Sequence, residues 1–482
     1  MFNAAILSAP ILLPVIFGVL PAFAKPLKRE FPRRLLVIAA LTLNLLFSLI
    51  AALRPGLSVA VVRLTDRLPI TLATDGMGGF FCLLVAVMYL LAGVFALEYM
   101  KHEDSTGRFH MSFLITLGML NGMGLAENLM TLYLFFEALT LLSLPLVIHA
   151  MTKEAVAATF KYLFYSIAGS SLALVGFFFV YNYGNTLDFI PGGGLNLSKL
   201  AGNESAMLVA AMLAVVGFGA KAGMFPLHGW LPSAHPVAPA PASAILSGVI
   251  TKAGVFAIIR FIFNIVGADF LRDTWVQTTL IVLSLISILM GSLLAYREPT
   301  LKKRLAFSSV SQVSYVLFGL FTLAEDGVMG GLMQMASHGI AKTCLFLTAG
   351  AFAYRTGKTS VSDLRGVGKR MPLTLFCFTL ASISLVGIPP SGGFVSKWNL
   401  AVGSLASGAG VFTWLGPAIL LLSALLTAGY LLPISISGFF PGDDHKAEIR
   451  QEAGPLMLAP MLILAISSVL IGFFLNGIIQ LF

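Results

Sequence analysis

The sequence predicts an all-α, polytopic membrane protein, and three observations carry that prediction. Hydrophobic residues make up 58% of the 482-residue chain and charged residues only 11%, against roughly 25% charged in an average soluble domain. Apolar runs of about 20 residues, enough to cross a bilayer, recur from end to end, and fourteen can be placed. The basic residues alternate between the loops. Odd-numbered loops hold nineteen Lys and Arg, among them Lys25, Lys28, Arg33, Arg34, Lys101, Lys302, Lys303 and Lys446, whereas the even-numbered loops hold five, Arg54, Arg63, Arg67, Lys199 and Arg272. That asymmetry places the odd loops in the cytoplasm and both termini outside, in the inner (plasma) membrane of a cell. It also explains the net charge of +9 without nucleic acid as a partner, because the cations are spread over short loops.

Helix one, near 4–24, lacks a basic n-region and reads as a retained span rather than a cleaved signal. With helices two (34–54) and three (79–98) it forms a scaffold, residues 1–105, that carries no ionisable group at mid-depth. The stretch 55–78 reads as a polar external loop. Helices four (110–126), five (129–150), six (159–181), seven (206–231) and eight (241–265) make a first set of five within 106–268. Helices nine (276–296), ten (304–323), eleven (330–353), twelve (373–402) and thirteen (413–438) make a second within 269–440, and helix fourteen (456–481) closes the chain in 441–482.

In each set the fourth helix is broken by proline and holds a lysine. Helix seven breaks at Pro226 and Pro232 and carries Lys221; helix twelve breaks at Pro389 and Pro390, in GIPPSGGF, and carries Lys397. Five is odd, so the two sets are expected to run oppositely through the membrane. Interrupted helices at matching places in inverted halves point to a transport site.

Charges at membrane depth are costly and mark functional positions. Six stand out: Glu137 on helix five, Lys221 on seven, Lys252 near the centre of eight, His338 and Lys342 on eleven, and Lys397 on twelve. Glu137 is the one carboxylate placed deep in the membrane, and His338 and Lys342, four apart, share a helix face. Burial disfavours the charged form of an amine or carboxylate and pairing restores it. A Glu137–Lys221 pair therefore reads as a switch, holding a proton when closed and releasing it towards Lys252 when open. A swing of two pKa units, about 2.7 kcal/mol, exceeds the roughly 2.3 kcal/mol needed to move one charge through 100 mV. Backbone groups freed at the breaks are expected to hold water between the stations.

Other residues have plainer readings. Arg260 reads as a side chain that snorkels, Lys161 equally as one that snorkels or as a functional charge, His149, His228 and His235 as structural hydrogen-bonders, and Trp230 as an interfacial anchor. Cys82, Cys344 and Cys377 sit singly, with no CxxC or Cys/His cluster, so no metal, iron–sulfur cluster or other cofactor is expected in this chain.

Five segments carry a family resemblance: LYLFFEALTLLSL around Glu137, KAGMFPLHGWLPSAH around Lys221, ITKAGVFAIIR around Lys252, SHGIAKTCLFLTAG around His338 and Lys342, and GIPPSGGFVSKWNL around Lys397. With them the chain resembles the antiporter-like subunits of respiratory complex I, membrane-bound hydrogenases and Mrp-type cation/proton antiporters. The segment AHPVAPAPASAILSGVITKAG looks nearest to the hydrogenase and formate-hydrogenlyase branch. The resemblance implies a fourteen-helix fold with inverted five-helix repeats. It also implies a Glu/Lys pair on helices five and seven, a central lysine on helix eight, and a terminal lysine or glutamate on helix twelve. Longer members add a lateral helix after helix fourteen, which a chain ending at Phe482 is not expected to supply.

The implied function is a non-catalytic, proton-translocating subunit of a redox-driven respiratory or hydrogenase-type complex. Its partners would be other membrane subunits and a peripheral arm bearing the iron–sulfur clusters. The alternative is a subunit of an Mrp-type sodium/proton antiporter. A silent scaffold is disfavoured, since it has no reason to bear six costly charges.

Overall fold

The computed structural model describes residues 2–24, 29–65, 68–442 and 449–480; Lys25, Lys28, Arg67 and Lys446, part of the charge asymmetry, lie outside them. The chain is helical and polytopic. In order run α1 (Phe2–Phe23), α2 (Glu30–Ala52), α3 (Gly76–Tyr99), α4 (Thr106–Gly124), α5 (Leu129–Val147) and α6 (Lys153–Tyr183). Helix seven is two pieces, α7a (Glu204–Ala222) and α7b (Leu231–Val237), followed by α8 (Ala240–Val266). Then come α9 (Trp275–Arg297), α10 (Leu301–Phe321), α11 (Glu325–Thr356), the pieces α12a (Pro372–Val386) and α12b (Gly392–Ala406), α13 (Phe412–Phe439) and α14 (Pro455–Gln480). Among the described residues, ten of these helices are long and apolar enough to span a bilayer on their own. The other four of the fourteen expected, α4, α10, α11 and the α12 pair, are present at the expected places but are more polar or interrupted.

The stretch expected to be a plain external loop folds instead as an antiparallel hairpin, β1 (Ser58–Thr65) with β2 (Leu68–Ala73). Its sequence SVAVVRLT is rich in β-branched residues, which suits a strand. The hairpin grips the α4–α5 turn: Asn128 donates to the Pro69 carbonyl at 3.0 Å and to Thr71 Oγ1 at 2.7 Å, and Thr71 N–H donates to Thr131 Oγ1 at 3.0 Å. Asn128 also caps α5 through Thr131 N–H. The start of the helix that carries Glu137 is thereby fixed.

Proline organises the scaffold as well. Pro14 has no N–H to give the carbonyl four residues back, and that carbonyl, of Pro10, is taken by Asn44 of α2 at 2.8 Å and Asn121 of α4 at 3.0 Å. One free acceptor so joins three helices. At the other side, Arg260 does not snorkel: it is 2% exposed, lies between the rings of Phe189 and Phe256, and pairs with Asp75, the N-cap of α3, at 2.6 Å. It ties α8 to the scaffold.

Candidate functional site

Both breaks are built by glycine and proline together. α7a ends at Gly223 (φ +84°) and α12a at Gly387 (φ +91°), left-handed conformations that stop a helix. Pro226 lies in the non-helical stretch after α7a, and Pro389 and Pro390 in the one after α12a. Pro232 is not part of a break: it stands in the first turn of α7b, where a missing N–H costs nothing.

The six charges fall into two groups. In the first, Lys221 is 1% exposed and donates to Thr140 Oγ1 of α5 at 2.6 Å, with the rings of Phe136 and Tyr162 at 4.9 and 5.8 Å. Thr140 stands one turn beyond Glu137. The carboxylate forms no ion pair with Lys221, and Glu137 Oε1 is buried without a hydrogen-bond partner. The expected pair is therefore open, because the threonine hydroxyl holds the amine in its place.

In the second group α8 and α11 meet at Gly248, where a side chain would lie 2.3 Å from Thr343 Oγ1. That close approach sets Lys252 Nζ 2.7 Å from His338 Nδ1, with both residues at most 1% exposed. Lys252 also donates to the Ser247 carbonyl, which sits in a π-helical turn, Leu246–Ile250; such turns free carbonyls from the regular ladder. His338 Nε2 has no partner. Lys342, one turn further along α11, is fully buried and donates to the Leu305 carbonyl of α10 at 2.9 Å. Lys397 reaches back across its break to the carbonyls of Leu385 and Val386, at 2.7 and 2.8 Å, with the Tyr315 ring at 5.1 Å. Among the described residues none of these amines forms an ion pair, and Lys221 and Lys252 do not touch.

Several side chains have partners that the sequence does not announce. Trp230 is no interfacial anchor: it is fully buried, packs against the tilted ring of Tyr162 with centroids 4.6 Å apart, and donates its indole N–H to the Ala220 carbonyl at 2.8 Å, capping α7a. Lys161, two turns inside α6, is exposed and donates to Ser233 of α7b at 3.1 Å, which leaves the snorkelling reading in place. His149 and His235 make no hydrogen bond through either ring nitrogen, and His228 none through Nδ1. His235, fully buried against Phe346 at 4.6 Å, lies in the field of Lys342, Lys302 and Lys252.

α10 carries a buried polar ladder. Ser309 meets Ser247 at 2.6 Å, Ser311 meets Ser292 at 2.9 Å, and Gln312 accepts from Gln334, which in turn accepts from Ser396 at 2.5 Å. The run SSVSQVSY inside an apolar span was the signal for it.

Among the described residues no group of three or more His, Cys, Asp or Glu side chains comes together. The three cysteines are buried free thiols.

Residues 126–441 match the family described as NADH:quinone oxidoreductase/Mrp antiporter, TM. The chain belongs to this family. It is 34% identical over 434 residues to NADH-quinone oxidoreductase subunit N of Desulforudis audaxviator, covering 85% of this chain and 83% of that one. Hydrogenase-4 component B of Escherichia coli is 31% identical, with 84% of this chain matched to 62% of that longer protein. A Na(+)/H(+) antiporter subunit of Bacillus subtilis is 28% identical over 84% of this chain and 80% of its own length. Among solved structures, a chain of the archaeal membrane-bound sulfane sulfur reductase superposes with a TM-score of 0.85 at 25% identity, covering all of this chain and 96% of that one. The fold is also that of a chain of Thermus thermophilus respiratory complex I, with a TM-score of 0.82 at 24% identity over 98% of both. These identities do not single out the hydrogenase branch that the AHP segment suggested. This family member is an antiporter-like membrane subunit whose buried Lys, His and Glu residues fit a proton path.

Proposed function

We propose that this chain translocates protons within a redox-driven respiratory or hydrogenase-type complex, with electron transfer and iron–sulfur clusters confined to a partner peripheral arm. The observation that carries the proposal is the Lys252–His338 contact. Two basic nitrogens 2.7 Å apart share one proton and cannot both donate along the same line, so the contact is built for exchange. Neutral acceptors, a hydroxyl and backbone carbonyls, hold the other amines, so a proton on any of them is not locked by a carboxylate.

Glu137 and Lys221 form the opposite end of the path, open in this structure and able to close into a pair once Thr140 is released. The two five-helix sets, 106–268 and 269–440, read as inverted halves, a reading supported by the matching breaks. The basic loops favour a plasma-membrane orientation with both termini outside.

The test is purification from native membranes with identification of what comes along. Iron–sulfur subunits are expected. Small antiporter subunits alone would overturn the redox-driven reading in favour of an Mrp-type exchanger.

A further inference from the structure

The two five-helix sets carry the same clasp. At the start of α5, Leu129 N–H donates to the Leu187 carbonyl at 2.9 Å and Phe189 N–H to the Glu127 carbonyl at 3.0 Å. At the start of α10, Leu301 N–H donates to the Thr359 carbonyl at 3.0 Å and Val361 N–H to the Pro299 carbonyl at 2.9 Å. Each is an antiparallel bridge, centred on Asn128 and Asp188 in one set and on Thr300 and Ser360 in the other. Every member of the second clasp lies the same interval along the chain from its counterpart in the first. The next helices begin at that interval too, α6 at Lys153 and α11 at Glu325. Residues of these helices can therefore be matched one to one, as repeats allow.

At that interval Glu137 of α5 falls on Ser309 of α10, and Ser166 and Ser170 of α6 fall on His338 and Lys342 of α11. The two sets thus exchange charge for hydroxyl. Ser309 is fully buried. Its Oγ donates at 2.9 Å to the Leu305 carbonyl, which also accepts from Lys342 Nζ at 2.9 Å. The same Oγ lies 2.6 Å from Ser247 Oγ of α8, and the Ser247 carbonyl accepts from Lys252 Nζ. One hydroxyl therefore touches the residues that hold both amines.

We propose that Ser309 is a positioning residue, the neutral counterpart of Glu137, that couples Lys342 to Lys252; the inference rests on the proton-translocating reading. A hydroxyl has one hydrogen to give, and two acceptors lie within its reach. With Lys342 protonated and bound to the Leu305 carbonyl, that hydrogen is free to turn to Ser247. With Lys342 deprotonated, the carbonyl draws it back, and the hold on Ser247 changes with it. A carboxylate in this place would pair with an amine and retain its proton, whereas a hydroxyl orients both amines and locks neither.

The test is redox-driven proton uptake by proteoliposomes of the intact complex, read beside its thermal midpoint. Ser309→Ala and Ser247→Ala are each expected to slow uptake about fivefold, the low end of couplings between sites. Both cut the same contact, so the double variant is expected to be no slower than either single one. Ser309→Thr keeps the hydroxyl and is expected to stay near the wild-type rate. Wild-type uptake in Ser309→Ala, with or without a lower midpoint, overturns the coupling, and so do losses that multiply in the double variant or an equal loss in Ser309→Thr. Should Ser309→Ala not assemble, Ser247→Ala carries the same prediction, and wild-type uptake in it overturns the coupling. A wild-type complex that takes up no protons is a separate result, which overturns the proton-translocating reading and this inference with it.

Discussion

The two broken helices solve the same problem with different side chains. A helix that stops inside the protein leaves carbonyls that need donors. At the end of α7a the indole of Trp230 caps Ala220, so Lys221 is released from its own helix end and reaches across to Thr140 on α5. At the end of α12a the lysine is itself the cap, with Lys397 donating to Leu385 and Val386. One break thus has a separate structural donor and a functional amine, and the other gives both tasks to one residue. A lysine in a broken helix is therefore not one kind of object: its partner decides how much of its role is stability.

Substitutions can separate these roles. The largest effect is expected for Lys221→Met. Proton pumping by the assembled complex in proteoliposomes should fall by more than about tenfold, roughly 1.4 kcal/mol or more, while the thermal midpoint stays near wild type because Trp230 still caps α7a. A matching loss of stability would erase the contrast. Lys397→Met should lose pumping and also stability, by about 1.5–3 kcal/mol per charge-assisted bond removed, read as a lower thermal midpoint. Lys397→Arg keeps donors at the break and should recover most of the stability. Trp230→Phe keeps an aromatic ring but leaves the Ala220 carbonyl with only the Gly223 N–H, at 3.2 Å, at a cost of about 0.5–1.5 kcal/mol for the lost hydrogen bond, with pumping largely retained. The smallest effect is expected for Thr140→Val, which removes the hydroxyl holding Lys221 away from Glu137 and should slow pumping about fivefold, near 1 kcal/mol. Thr140→Ser should restore it.

Much of this was legible in the sequence, for physical reasons. Helices in a bilayer must be long, apolar and internally bonded, so their number and approximate ends follow from apolar runs and prolines. Lys221, Lys252, His338, Lys342 and Lys397 announced themselves because charge is rare at that depth. What the residues touch was not legible. Trp230 reads as an anchor until Ala220 is found beneath it, and whether Glu137 meets Lys221 or Thr140 intervenes depends on side-chain reach between two helices, α5 and α7a. The Ser309–Ser247 and Gln312–Gln334–Ser396 contacts join residues 62, 22 and 62 positions apart, and no local pattern encodes those pairings. The hairpin at Ser58–Ala73 had a local signal, its β-branched run, which the expectation of a polar loop passed over.

The central claim is that Lys252 and His338 exchange a proton directly. His338→Gln tests it most closely, because glutamine offers Lys252 an acceptor of similar reach but no nitrogen that titrates. Measured as redox-driven proton uptake by proteoliposomes containing the assembled complex, with assembly checked by co-purification, the variant is predicted to pump at less than about a tenth of the wild-type rate. An intact complex that pumps at the wild-type rate would contradict the account.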